Sequence, residues 1–533
     1  MKDITPLKVA LCVLFVVSAP LAIWLNAEVV IGNPTPLYVL FGLLGILLYI
    51  FGLKSRCWLT IPFCMGMQGN LNFLPIRFSM LELATIGCFS SLLFYYVMGN
   101  RKKIILGPAM QRIPIFVLSS VALFHWLKTG SIGLRTFGSD SIGARPIFTI
   151  LIASLSYFLI LYLGKGDSLG LRLVPWLYLG GCSIDFFCQT ITFVAPGLAT
   201  SIYRVYSAVN MEAYFDMMGS DMGGGIVRLG AINQFTISLA VALISTFRPS
   251  SWIMPSRIWM PFALAGCLLG SLYGGFRSGV STLALHVIAA CFATMRSLVI
   301  VIIFLGLAFC IVLAGAHGTL IDLPLPMQRS LSVLPGKWDS RVVSSTEGSN
   351  DFRTKILEIY LKDYAMKNLL FGSGWAIPKA IVAEDERSFW DKVPDTHPDA
   401  QTRRFIELRN EHWGWVNAHH TTGLVGLISI AVLILGSFAQ TLRRLYKMQL
   451  ASITPVMVWS FSMLSYQAIV FLFMGSPIRD CLPTITVLLA VINLAFIPQT
   501  SHTPFHLPAI RPSLIPPNQN SFAVSQASSP VDS

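Results

Sequence analysis

Charge is scarce in this sequence. Asp, Glu, Lys and Arg together make up only 12% of its 533 residues, while 54% are hydrophobic and the mean hydropathy is +0.67. Soluble domains carry roughly a quarter of their residues charged, so the two to four soluble domains that about this length would allow are excluded. A disulfide framework is missing as well: the ten cysteines lie in or beside apolar runs, and none falls in the one long hydrophilic stretch, residues 316–421. Cysteines so placed are packing residues. No DxD-like element and no His/Glu cluster with metal-ligand spacing stands out. Asp395 and Asp399 flank His397, but in a Pro-rich, irregular stretch. Neither a metal nor a cofactor is indicated. Internal repeats and the inverted halves of many transporters are also lacking.

What the chain does have is apolar runs of membrane-crossing length. In lipid a backbone must satisfy its own hydrogen bonds, so runs of about 17–25 apolar residues imply helices. Fourteen are read, near 7–26, 37–53, 57–74, 79–98, 104–127, 147–164, 171–194, 231–247, 258–274, 279–294, 297–315, 422–440, 453–473 and 481–497. The expected fold is therefore all-α: a polytopic membrane bundle of about 12–14 transmembrane helices. Residues 1–315 form an N-terminal bundle, 316–421 one large external helical loop, 422–497 three further spans and 498–533 a disordered tail of Pro, Ser, Asn and Gln.

The net charge of +13 would suggest a polyanionic partner in a soluble protein, but its distribution indicates membrane orientation instead. The large loop holds 14 of the 25 acidic and 13 of the 38 basic residues, and is nearly neutral. With the third run kept as a crossing, the clusters Lys54/Arg56, Arg101/Lys102/Lys103, Lys165, Arg248/Arg257, Arg296 and Arg443/Arg444/Lys447 all fall on one side. The positive side lies inside, which predicts cytoplasmic termini and puts 27–36, 128–146, 195–230 and 316–421 outside. The first run reads as a retained helix; two lysines before it and small residues near Ala19 leave a cleaved signal peptide as the alternative.

Inside the large loop, Ile356, Leu357, Tyr360, Leu361 and Tyr364 share one helical face, opposite Lys355, Glu358, Lys362 and Asp363. An amphipathic helix over Arg353–Lys367 is expected, packed on the membrane surface or on the bundle. Phe371-Gly-Ser-Gly-Trp375 reads as a tight turn. A second helix is expected from about Thr402 through Trp415, carrying Arg409, His412 and His419 to the interface. Trp375, Trp390, Trp413 and Trp415 are aromatic surfaces for interfacial anchoring or for stacking on sugars. Outside the loop, Arg277 sits in Tyr273-Gly-Gly-Phe-Arg-Ser-Gly279, a connection too short to be a domain, and Arg228 just precedes the eighth span. Each could capture an anion or anchor the interface. Glu82, Asp185 and His286 within spans read as hydrogen-bonding groups of the bundle.

From about residue 37 to 497 the chain resembles the superfamily of bacterial O-antigen ligases and polysaccharide polymerases, glycosyltransferases of the cell envelope. Arg228-Leu-Gly resembles the family's arginine–glycine element, and Phe276-Arg-Ser-Gly its arginine-bearing external turn. Arg353-Thr-Lys-Ile-Leu357 matches an arginine, three residues, leucine motif. Asn368-Leu-Leu-Phe-Gly-Ser-Gly374 resembles a stretch that more often begins with proline. His412, eleven residues before Gly423-Leu-Val-Gly426, matches the family histidine, although Trp413 stands where Asn or Ser is usual.

The resemblance implies a GT-C-like bundle in the bacterial inner membrane with its active site on the periplasmic face. It implies metal-independent transfer of a glycan from a polyprenyl (undecaprenyl) diphosphate carrier to an acceptor hydroxyl, as in lipopolysaccharide or exopolysaccharide synthesis. The acceptor is a lipid A core for a ligase and another carrier-linked repeat unit for a polymerase. Partners are then the lipid bilayer, donor and acceptor, with no nucleic acid and no cofactor. Arg277 and Arg353 would stabilise the diphosphate leaving group, with Arg228 supporting; His412 would be the general base, with His419 the alternative; His419 and Arg409 would lie in the binding region. A lipid-linked glycan transporter or flippase is the competing class.

Overall fold

The structure, a computed structural model, describes residues 53–72, 78–97, 105–129, 145–207, 229–252, 254–296, 299–375, 399–409, 411–473 and 477–497. The first two expected spans, apart from Leu53, and the tail at 498–533 lie outside the described residues, as do Arg101, Lys102 and Lys103. Among the described residues there are helices and isolated bridges but no strand.

Among the described residues, eight helical runs are long and apolar enough to cross a membrane. They are α3 (Ala109–Thr129), α4 (Arg145–Leu163), α5 (Ser168–Val194), α9 (Arg277–Met295), α10 (Val299–Ala316), the continuous run of α14 (Gly414–Ala431), a π turn and α15 (Ser437–Lys447), then α16 (Pro455–Phe473) and α17 (Ile478–Phe496). The apolar helices α2 (Met80–Val97) and α7 (Gly230–Thr246) and the 15-residue α8 (Trp259–Tyr273) complete the bundle. α16 and α17 are its centre; most of their residues are buried, and α17 packs along α4 while α16 packs along α9. α10, by contrast, exposes Ile300, Phe304, Leu305 and Val312 at its rim. An exposed apolar helix of that length is what a lipid-facing element looks like.

The third expected span is not one helix. A 3-10 turn, Lys54–Leu59, leads into the short α1 (Thr60–Met65), and beyond Gly66 the chain runs extended. It nevertheless follows α5 from one end to the other. Arg56 and Trp58 reach Asp167 at the start of α5, and Gly66 packs on Gly181 midway, where a Cβ would strike the backbone of Tyr178 and Cys182. At the far end, Asn72 N donates to Val205 O and Ser207 N to Asn70 O. The segment thus runs alongside α5, beginning as a helix and finishing extended. Its freed amides are satisfied laterally: Gln68 N donates to Asp185 (2.7 Å) and Gly69 N to the Tyr206 hydroxyl (3.0 Å).

The basic clusters that are described do share one end. Arg296 donates to the carbonyls of Tyr446 and Met448, and Arg248 to those of Ala451 and Ile453. The Arg444 guanidinium lies over Phe496, and nearby Leu494 meets Gly164, which also contacts Trp58. The large loop attaches at the opposite end, where α11 (Leu325–Leu331) hydrogen-bonds the end of α8 through Ser330 and Leu272 O.

Within that loop, the amphipathic helix starts earlier than expected: α12 spans Ser340–Asp363. It buries Ile356, Ile359 and Tyr360 against α13 (Ala400–Glu407) and the first turn of α14, leaving Leu361 exposed. The second expected helix is broken, because α13 ends at Glu407 and α14 begins only at Gly414. Between them Arg409 takes a left-handed φ of 60°.

α14 is itself interrupted. At Gly423 φ is 64° and ψ −165°, a conformation in effect reserved for glycine. The turn at 368–375, with left-handed Asn368, Gly372 and Gly374, fills the gap. Ser373 N and Gly374 N donate to the carbonyls of His420 and Thr421; Leu424 N and Val425 N donate to those of Leu369 and Leu370. A strand-like piece of the loop therefore replaces two helical hydrogen bonds, and the expected tight turn becomes a plug. A Cβ on Gly423 would run into the Leu370 carbonyl. Gly423→Ala should lower the thermal midpoint of the purified protein, with a stability loss of about 2–4 kcal/mol from strain and overpacking. Gly306→Ala, which meets nothing within 4 Å, should leave the midpoint unchanged; equal effects would remove the plug from the account.

Candidate functional site

Two polar centres lie at the loop end of the bundle. The first is built by the break between α13 and α14. Arg409 turns inward and is 8% exposed; its Nε donates to Gly374 O (3.1 Å) and its Nη1 to His420 Nε2 (2.8 Å). His420 Nδ1 pairs with Glu411 Oε1. Accepting from Arg409 at Nε2 and donating from Nδ1 makes this ring the neutral Nδ1–H tautomer. It bridges a buried cation and a buried anion. Asn417 completes the group: its Nδ2 donates to Glu411 (2.6 Å) and to Arg409 O (2.9 Å), and its Oδ1 accepts from Ile478 N at the start of α17 (2.9 Å).

Around this core stand the more accessible groups. His412 is half-buried between the rings of Phe352 and Phe405. Its pKa is lowered, first by burial and then by the guanidinium of Arg353, while Glu411 acts the other way. Arg353 itself is exposed on α12. His412 and Arg353, fifty-nine residues apart, are therefore electrostatic neighbours. His419 hydrogen-bonds through Nδ1 to Tyr360, at 2.5 Å. The Tyr360 phenol is pushed well above its usual range by burial and by Glu411, so it remains the donor. His412 precedes the helix that carries His419, so the two do not share a helical face.

The second centre is a cavity of about 780 Å³ inside the bundle. It is lined where α2, α4, α7, α9 and α17 begin, and by the extended part of the third expected span. Taking the helix-start end as its mouth, Ser79, Phe276 and Arg479 stand there, and Gln234, Thr282 and His286 lie one to three turns deeper along their helices. In one wall Arg145 is paired with Glu82, both almost fully buried, and Thr149 donates to the same carboxylate (2.7 Å). The two centres meet through the Asn417–Ile478 hydrogen bond, one residue from Arg479.

Measured against the sequence candidates, the structure brings Arg353 within electrostatic reach of His412 and the 368–374 stretch onto Gly423. Arg409 is close by but committed to internal partners. Arg277 opens α9, half-buried, between Phe276 and Ser278, which line the cavity; neither Arg277, Arg353 nor His412 is itself part of that lining. Arg228 and Trp390 lie outside the described residues. Trp375 is buried against His125, which takes it away from any stacking surface. Glu82 and Asp185 are satisfied inside the bundle, by Arg145 and by Gln68 N and the Tyr206 hydroxyl. Glu411, His420 and Asn417 were not singled out by spacing, because their grouping needs the non-helical stretch after Glu407. Among the described residues no three His, Cys, Asp or Glu side chains are grouped to hold a metal ion; Asp399 pairs with Lys355 instead.

The Arg353 contact makes a prediction about His412. Because Arg353 disfavours the imidazolium, Arg353→Ala should raise the pH at which His412 titrates. Histidine-selective NMR, with the resonance assigned by His412→Gln, measures this; an unchanged titration would dissolve the pairing.

No protein-family model matches the chain, and no curated protein matches it either.

Proposed function

We propose that this protein is an envelope glycosyltransferase of the O-antigen ligase or polymerase type. In this reading it moves a glycan from a polyprenyl diphosphate carrier to an acceptor hydroxyl at the periplasmic face of the bacterial inner membrane. The observation that carries the reading is that two separate parts of the large loop meet at the loop end of the bundle, where the ring of Phe352, beside Arg353, lies 6.2 Å from that of His412 and the Arg353 charge acts on the imidazole.

The chemistry is group transfer. The acceptor oxygen forms a bond to the anomeric carbon as the bond from that carbon to the diphosphate oxygen breaks. The hydroxyl proton passes to His412, and the electron pair leaves on the carrier diphosphate. A base must be neutral before it acts, and the lowered pKa of His412 keeps it so near pH 7. An arginine stays charged and offers a fixed fork of donors, so Arg353 suits the growing charge of the leaving group, with Arg277 a second cation at the same end. The buried Arg409–His420–Glu411–Asn417 group does not face solvent; it fixes the backbone on which His412 stands.

Purified protein with a carrier-linked oligosaccharide tests this, with lipid A core and a second carrier-linked unit offered separately as acceptors. His412→Ala and Arg353→Ala should each lower kcat by about a hundredfold or more. Wild-type rates in both variants would end the proposal, and the acceptor that is consumed separates ligase from polymerase. A second reading, transport of the lipid-linked glycan, draws support from the half-helical third expected span beside a polar cavity, the irregular backbone that transporters use. Appearance of free carrier diphosphate together with product distinguishes the two.

Orientation has its own check. Ser344→Cys, exposed on α12, should react with a membrane-impermeant maleimide added from the periplasmic side, whereas Gln449→Cys at the basic end should not. The reverse pattern would put the loop in the cytosol.

A further inference from the structure

We infer that the intrabundle cavity is a binding site for a sugar unit, which it recognises through hydroxyl groups. The observation behind this is a set of polar atoms without protein partners, spread over the depth of the cavity and differing in kind.

Arg145 Nη1, Gln234 Oε1, His286 Nε2 and Arg479 Nη1 have no hydrogen-bond partner, and all four residues line the cavity. Arg145 is 4% exposed and His286 1%. Buried polar atoms are nearly always satisfied, because leaving one unpaired costs about 1–3 kcal/mol. A ligand that fits must therefore match their donor and acceptor character.

That character follows from the partners already made. His286 Nδ1 lies 2.8 Å from Thr282 O, so this nitrogen carries the proton and Nε2 offers a lone pair. Gln234 directs its amide nitrogen toward Gly66 O and the Cys182 sulfur, which leaves Oε1 as a second acceptor. The deep end of the cavity thus asks for donors. Arg145 and Arg479, nearer the mouth, ask for acceptors. His286 lies nine residues into α9, about 14 Å from the helix start at a rise of 1.5 Å per residue.

A phosphate accepts hydrogen bonds and hardly donates, so it would satisfy the arginines but face two lone pairs in the interior. Formal charge does not select an anion either: Arg145 is paired with Glu82, and Arg479 lies 3.5 Å from Asp480. Hydroxyl groups both donate and accept, and a sugar carries several on a rigid ring. The rest of the lining agrees, with the amides of Gln68 and Gln467, the hydroxyls of Thr149 and Tyr466, and the ring of Phe276. About 780 Å³ is within the range of sites that enclose small ligands. Whether the sugar belongs to donor or acceptor rests on the transfer reading proposed above; the cavity's demand for hydroxyls does not.

The test is equilibrium binding to the full chain in lipid nanodiscs with three probes: polyprenyl diphosphate alone, the same carrier bearing the host's repeat oligosaccharide, and that oligosaccharide freed from the carrier. His286→Phe keeps the ring but deletes the deep acceptor; Gln234→Met does the same in a second helix, and thermal midpoints verify folding. Each should weaken a sugar-bearing probe at least tenfold and leave bare polyprenyl diphosphate unchanged. Loss with only the carrier-linked probe assigns the sugar to the donor; loss with the free oligosaccharide as well assigns it to the acceptor. Equal weakening of the bare carrier would make the cavity a phosphate site, and unaltered binding of all three by folded variants, or no binding by wild type, would overturn the inference. Sugar binding that persists without turnover would defeat the transfer reading while leaving this one standing.

Discussion

Backbone hydrogen bonding in an apolar bundle is the constraint on which the rest of this structure depends. An amide or carbonyl that leaves a helix inside such a bundle finds no water and must find protein. Among the described residues the chain leaves the helical path inside the bundle after Gly66 and at Gly423, and both departures are matched by other segments. Asp185, Tyr206 and Val205 O receive the amides of the third expected span. The 368–375 turn receives and supplies the bonds that the kink in α14 sets free. That second match ties the large loop to the bundle, and it places Gly374 where Arg409 can reach its carbonyl.

Charge burial follows the same logic. Breaking a buried pair by removing one partner costs about 3–5 kcal/mol, so the buried ions here come in sets. Glu82 has Arg145 and Thr149; Glu411 has His420 and Asn417, with Arg409 on the far side of the imidazole. The two sets differ in one respect. The Arg409 set is closed, with Asn417 bonded both to it and to α17, which makes it a positioning device for the chain around His412. The Arg145 set is open, since Nη1 remains without a partner on the cavity side. Closed sets hold geometry, and open ones meet ligands.

Much of this was legible in the sequence, for identifiable reasons. Hydropathy finds helices that are apolar along most of their length, and α3, α4, α5, α9, α10, α16 and α17 fall within a few residues of the expected runs. The third expected span shows why the method has a limit: Gln68, Asn70 and Asn72 lie in its second half, and hydropathy counts length and not backbone conformation. The placement of Arg353 near His412 was implied by a resemblance and not by spacing. The Arg409 group could not be read at all, since a helix from Thr402 through Trp415 would have scattered residues that a break at Leu408–Trp413 brings together. The cavity was equally hidden, because its polar groups come one or two at a time from several helices, each polar residue looking like an isolated exception on an apolar face.

The two centres make different demands on a ligand, and the difference bears on how they could work together. Around His412 the groups are half-exposed and belong to the loop, so a substrate reaches them from the aqueous side. In the cavity the groups belong to the bundle, where α2, α4, α7, α9 and α17 begin, so a molecule bound there would sit among helices and not on the loop. A molecule with hydroxyls at one end and an anion behind them would seat the hydroxyls among Gln234 and His286 and leave its anion at the mouth, next to Arg479. From there the Ile478–Asn417 hydrogen bond leads directly to the chain that carries His412. Asn417 is thus bonded on one side to the Arg409 carbonyl and Glu411, in the chain beneath His412, and on the other to the helix that carries Arg479.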